Sequence, residues 1–124
     1  VKQYRHPVSD TLLEVPGGFV DAGESSDKAI ARELLEETGY VFRDYIFVGR
    51  IAANPGVLNN YTDLYLATGG IKRSTQQLDH HEEIEIMLMP VEEVRQRLLN
   101  NEIRQSLHAC CLFYAFHKLD SFGR

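Results

Sequence analysis

Residues 18–40, GFVDAGESSDKAIARELLEETGY, decide how the rest of the chain is read. Gly17, Gly18 and Gly23 surround residues 19–22, which is loop chemistry, because glycine allows sharp bends and close approaches that a Cβ would block. Ser25 or Ser26 supplies an N-cap, Asp27 an acid in the first turn and Gly39 a left-handed C-terminal cap, so a helix is expected from about Ser26 to Thr38. At 100° per residue Ile30, Ala31, Leu34 and Leu35 share one side, while Glu33, Glu36 and Glu37 cluster on the opposite one. The helix reads as amphipathic with an acidic outer face. Glu33 and Glu37 are four residues apart and Glu36 lies three from Glu33, so their carboxylates project into one small region. They also sit in the last turn and a half, where the helix dipole is negative and repels them. Hard divalent cations such as Mg²⁺ or Mn²⁺ are the natural remedy, since their preferred ligands are oxygens.

Taken alone, a charge run is more often a solvated helix face. The spacing weighs against that. Gly18, five residues, Glu24, seven residues, then Arg32, Glu33, Leu34, Leu35, Glu36, Glu37, Thr38, Gly39 and Tyr40 resembles the Nudix box, G-x5-E-x7-R-E-U-x-E-E-x-G-U with U a bulky aliphatic residue. All seven fixed positions match, and so does the first U at Leu34. Tyr40 departs from the final U, a change that bears on packing more than on chemistry. At roughly 5 to 7% usage per residue type, seven matches in one register arise by chance on the order of once in 10⁸ to 10⁹ trials. The resemblance implies an α/β fold, a Nudix-type α/β/α sandwich with a mixed β-sheet between helices. It also implies Mg²⁺-dependent hydrolysis (Mn²⁺ as an alternative) of the pyrophosphate of a nucleoside diphosphate derivative. By the same resemblance Glu33 and Glu37 are the principal metal ligands, Glu36 assists and the Gly17 carbonyl adds a backbone oxygen. Arg32 pairs with Glu24 to brace loop against helix, and Gly18 and Gly39 support the site.

The flanks narrow the branch. Gln3, Tyr4, Arg5, then Leu13, Glu14, Val15, Pro16, Gly17 and Gly18 look like the segment leading into the box of ADP-ribose pyrophosphatases and related nucleotide-sugar hydrolases. Pro55, sixteen residues beyond Gly39, resembles the downstream proline of ADP-ribose-cleaving members. With Leu78, Asp79, Glu82, Ile84 and Glu85, the resemblance extends over about residues 1–91. It implies ADP-ribose as substrate, with AMP and ribose 5-phosphate as products; another nucleotide sugar, dinucleotide or oxidised nucleotide is the alternative. A regulatory module that binds ADP-ribose without cutting it would not need Glu33, Glu36 and Glu37 together. Arg5 is a candidate phosphate contact through its forked donors, although an exposed arginine and a turn proline are ordinary readings of Arg5 and Pro55. The resemblance implies a catalytic base outside the box, a glutamate on a loop, here Glu82 or Glu83, with Glu33 or Glu36 orienting water through the metals as the alternative. His80 and His81 lack matched partners for zinc and read as loop residues.

The remaining chain fits around this centre. Residues 4–15 carry turn chemistry at Pro7, Ser9 and Asp10 and read as a hairpin or extended chain. Residues 45–53 and 61–68 read as strands joined by a loop containing Asn54, Pro55 and Gly56. Residues 69–81 are polar and expected to be mobile; residues 83–89 alternate as a strand, ended by Pro90. Residues 91–100 and 102–119 have helical spacing.

With 124 residues, a single domain is expected over 1–124. The absent initiator Met is read as the mark of a chain lacking native N-terminal residues. No apolar run reaches membrane-spanning length, and a net charge of −5 with no basic stripe argues against nucleic acid as partner. The acidic balance instead requires metals between this chain and an acidic pyrophosphate. Adjacent Cys110 and Cys111 on one helical stretch do not readily bridge, which fits a reducing, cytoplasmic setting. A homodimer is expected by analogy with related ADP-ribose hydrolases.

Overall fold

The computed structural model describes residues 1–79 and 83–122. Strands β1 (Lys2–Arg5) and β2 (Asp10–Leu13) form an antiparallel hairpin, with Lys2 opposite Leu13 and Arg5 opposite Asp10. A 3₁₀ turn at His6–Val8 joins them. Pro7 suits that turn, having a fixed φ and no N–H to satisfy, and Ser9 closes it at φ 51° by donating its N–H to the His6 carbonyl at 3.1 Å.

Helix α1 (Ser26–Thr38) starts after Ser25 in extended conformation and ends at Gly39, φ 77°, whose N–H reaches the Leu35 carbonyl at 2.8 Å. The short strand β3 (Tyr40–Val41) leads into β4 (Asp44–Ile51) and β5 (Thr62–Thr68), followed by β6 (Ile71–Lys72) and β7 (Ile84–Glu85). Helices α2 (Val91–Leu99) and α3 (Ser106–Phe122) complete the described chain.

The α/β class and the placing of strands between helices follow the sequence reading. Among the described residues the strands form three short ladders, β2-β1-β7, β3-β6 and β4-β5, and each pairing is antiparallel. The β4-β5 ladder lies between two helices, as the alternation of side chains shows. Tyr65 directs its hydroxyl to Ser26 Oγ of α1 at 2.6 Å. Its neighbour Leu64, 4% exposed, points to the other face, where Gly49 lies opposite it and beside Tyr114 of α3. A bulge between Phe47 and Gly49 shifts the register there. A second cluster joins α2 and α3: Leu98, Ile103 and Phe116 are buried and pack with Leu13, Val94, Ala109, Leu112 and Leu119.

Three expectations shift. Residues 73–77, part of the polar stretch expected to be mobile, hydrogen-bond to the end of α1. The strand expected over 83–89 is reduced to β7, which pairs with Lys2 and Gln3 at the start of β1. Helix α3 begins at Ser106 rather than Glu102, because the Gln105 side chain caps it, its Oε1 accepting the N–H groups of Leu107 and His108 at 2.7 and 3.2 Å.

Gly39 is required twice over, by its positive φ and by space, since a Cβ there would overlap the Ser74 carbonyl oxygen. Gly39→Ala should lower the unfolding free energy by at least about 1–3 kcal/mol, as measured by urea denaturation. An unchanged midpoint and slope would show that the cap relaxes freely.

Candidate active site

Leaving β2, the chain runs through Glu14, Val15 and Pro16 into the glycine loop, which faces α1. Glu37, read from sequence as part of an acidic outer face, is instead buried at 6% exposure. Its Oε2 accepts the Gly17 N–H at 3.3 Å. The physical reason is angular: three residues of α-helix bring Glu37 within about 60° of Leu34 on the helix surface, and Leu34 is core. The Glu33 side chain is 16% exposed and that of Glu36 42%. The acidic side of α1 therefore grades from buried Glu37 to half-buried Glu36. Gly18 leaves room for this, because a Cβ at that position would collide with the Glu33 carboxyl group.

Arg32 ties the region together. Its Nε and Nη2 donate to the two Glu24 oxygens at 2.9 and 3.1 Å, and Nη2 also reaches the Phe19 carbonyl at 3.0 Å. Nη1 donates to Glu33 Oε1 at 3.0 Å and Glu36 Oε2 at 3.3 Å, and Asp21 lies 3.4 Å from Nη2. The Arg32 hydrogen bonds, with help from the Asp21 N–H, hold the Glu24 carboxyl below the usual carboxylate range. Glu24 in turn is the main reason that Arg32 is pushed above its ordinary value.

Among the described residues no three His, Cys, Asp or Glu side chains converge closely enough to share one ion; Glu33 and Glu36 both lean on Arg32. Magnesium needs one or two carboxylates, completing its shell with waters and phosphate oxygens. Glu33, Glu36 and Glu37 provide hard oxygen donors on one helix side beside an open loop, and this donor set fits such an ion.

A second polar group abuts the first. Arg5 forks onto Glu14, Nε to Oε2 at 2.9 Å and Nη2 to Oε1, and the Glu14 side chain is 1% exposed. The hydrogen bonds that Arg5 donates to Glu14 hold it above its usual range, with a smaller contribution from the charge of Glu37. His108 of α3 stands on the other side, its Nδ1 3.7 Å from Glu14 Oε1 and accepting the Val15 N–H at 3.2 Å. An Nδ1 that accepts belongs to a neutral ring carrying its proton on Nε2. Burial pushes His108 below its ordinary pKa, against the opposing pull of Glu14.

The structure thus gathers Gly17, Gly18, Glu24, Arg32, Glu33, Glu36 and Glu37, with Arg5 alongside. Gly39 caps the far end of the same helix. Pro55 lies in an exposed turn over residues 54–58, where Asn54 accepts the N–H groups of Val57 and Leu58. Glu83 borders a shallow groove with Lys2, Tyr4, Leu78 and Glu85. His80, His81 and Glu82 lie outside the described residues. Sequence reasoning gave no separate role to Glu14, His108 or Gln76. A glutamate inside the apolar run Leu12, Leu13, Glu14, Val15 was the available signal for the first; the other two become partners of the site through the fold.

The NUDIX domain model matches residues 1–110. The chain belongs to the NUDIX family. It is 28% identical over 115 residues to the ADP-ribose pyrophosphatase of Bacillus subtilis (strain 168), covering 92% of this chain and 62% of that protein. It is 34% identical over 110 residues to the ADP-ribose pyrophosphatase of Mycobacterium tuberculosis, covering 86% of this chain and 53% of that one. A solved structure described as an ADP compounds hydrolase superposes with a TM-score of 0.88 at 23% identity, over 99% of this chain and 66% of that chain. That likeness shows the NUDIX fold. The chain spans between about half and two thirds of the length of these curated relatives. Among the described residues no helix is long and apolar enough to cross a membrane.

The buried His108 gives a pH test. Its folded pKa lies below the ordinary 6.5, so on acidification the unfolded chain takes up this proton first. The stability it contributes is complete above that value and is lost progressively as pH falls toward the folded pKa. His108→Asn should flatten the decline in unfolding free energy between about pH 7 and 5.5, measured by urea titration. An identical slope in variant and wild type would contradict a neutral, buried His108.

Proposed function

We propose that this NUDIX chain carries a Mg²⁺-dependent pyrophosphohydrolase site whose substrate is ADP-ribose, cleaved to AMP and ribose 5-phosphate. The observation that carries the reading is the set Glu33, Glu36 and Glu37 on one side of α1, against a glycine loop held by Arg32 and Glu24. Glu33 and Glu37 would hold the ion, with Glu36 and the Gly17 carbonyl assisting; Mn²⁺ would serve in its place. When bound, the ion neutralises charge on the pyrophosphate oxygens and makes the attacking water more acidic. Water adds to one phosphorus, the P–O–P bond breaks and the other phosphate leaves in line.

The chain's own residues do the rest. Arg32 and Glu24 keep the loop registered on the helix, and Gly18 leaves space for the Glu33 carboxylate. Arg5 uses Nε and Nη2 on Glu14, which leaves its Nη1 side, among the described residues, to meet a substrate phosphate oxygen. Glu82 or Glu83 would take the proton from water. Pro55 would border the substrate. The similarity to ADP-ribose pyrophosphatases supports the choice of substrate. A homodimer in the cytoplasm is part of the same proposal; Cys110 and Cys111, both free thiols, suit a reducing compartment.

Glu37→Gln preserves shape and removes charge. It should lower turnover more than about 100-fold, beyond the loss usual for a residue that only orients a ligand, with AMP release from ADP-ribose measured with and without Mg²⁺. Wild-type turnover would refute the metal role of Glu37, while preferential cleavage of a sugar nucleotide or dinucleotide beside ADP-ribose would replace the substrate.

Arg5→Ala should raise KM for ADP-ribose. It should also cost about 1–3 kcal/mol of stability by leaving buried Glu14 without its fork. A drop in stability with unchanged KM and turnover would make Arg5 purely structural.

A further inference from the structure

The last carbonyls of an α-helix have no partner within it, and in α1 residues 73–77 supply partners. Glu36 O accepts the Gln77 N–H at 2.7 Å, and Gly39 O accepts those of Arg73 and Ser74 at 2.8 and 3.1 Å. Gln76 makes a different connection. Its side-chain Nε2 donates to the Glu37 carbonyl at 2.8 Å and to the Ile84 carbonyl at 2.9 Å. Two acceptors that cannot donate determine which end of the amide carries nitrogen, and both of its hydrogens are used. One goes to the residue whose carboxylate is buried against Gly17. The other goes to β7, which pairs with β1, the strand that ends in Arg5.

We propose that Gln76 is a positioning residue for the metal site: its amide sets the separation between the carboxylate-bearing end of α1 and the β2-β1-β7 ladder. Capping does not account for all of it: Gln76 serves the Glu37 carbonyl, while its second bond reaches another element, β7. Two of the attachments of Glu37 must agree, its carboxylate on the glycine loop and its carbonyl on Gln76. Releasing the second lets the last turn of α1 drift relative to the loop and to Arg5. The inference rests on Glu37 being a metal ligand, as proposed above.

The test is Mn²⁺ binding, read from the EPR signal of the free ion, together with kcat and KM for ADP-ribose at saturating metal. Gln76→Met keeps length and loses both donors; it should weaken Mn²⁺ binding about 10-fold, as loss of a group that orients a ligand does, and lower kcat with little change in KM. Gln76→Arg carries donors for both carbonyls and should recover most of the affinity. If Gln76→Met fails to fold, Gln76→Asn, whose amide is too short to reach both carbonyls, should show the same weakening. Wild-type Mn²⁺ affinity and kcat in a folded Met or Asn variant would overturn the proposal, even with a lowered Tm. Glu37→Gln in the same titration separates the two readings. If it loses Mn²⁺ while Gln76→Met does not, the positioning role alone falls; if Glu37→Gln binds normally, the metal assignment falls and this inference with it.

Discussion

Four carboxylates and one guanidinium set the terms for the rest of this molecule. Glu24, Glu33 and Glu36 all accept hydrogen bonds from Arg32, and Asp21 stands within ion-pair distance of it. The acids lie on two different elements, the glycine loop and α1, which would repel each other without a shared positive charge. A planar fork with five donors can serve both at once, which an ammonium on a flexible stem does poorly. The loop's path fits this constraint: glycine at residue 18 lets the Glu33 carboxyl close on the loop, and the Phe19 carbonyl turns toward Arg32.

The Arg5–Glu14 pair extends the same logic into the sheet. A carboxylate buried to 1% exposure is costly unless it is fully engaged, and Arg5 engages it from the neighbouring strand. His108 then joins α3 to the backbone at Val15, two residues before the glycine loop begins. Loop, hairpin and C-terminal helix meet at one point. The neutral His108 ring accepts a backbone N–H and so does not compete with Arg5 for the Glu14 carboxyl group.

Helix α1 could be delimited from its letters alone, since Gly39 permits a left-handed cap and the apolar spacing is helical; the observed span, Ser26–Thr38, coincides with that reading. The β4-β5 pair was also legible from its aromatic and aliphatic content. The burial of Glu37 was not. A helical wheel distinguishes sides, but it does not say how far a neighbouring loop wraps around them. The same limit explains residues 73–77, part of a stretch whose polarity suggested mobility: the backbone N–H groups of Arg73, Ser74 and Gln77 and the Gln76 amide are spent on carbonyls at the end of α1, partners no local pattern announces.

The sequence by itself determined the family, the acidic helix and the residue types of the site, because seven spaced positions encode a loop-helix unit whose chemistry is local. Tertiary structure decided which of those acids are buried, that Arg5 is held by Glu14, and that His108 and Gln76 take part at all. His108 and Gln76 lie far from the box along the chain: the first accepts the Val15 N–H just ahead of the box and the second donates to the Glu37 carbonyl, backbone groups that carry no sequence signature. Contacts of that kind exist only once helices and strands have packed, because packing alone sets the distance between them.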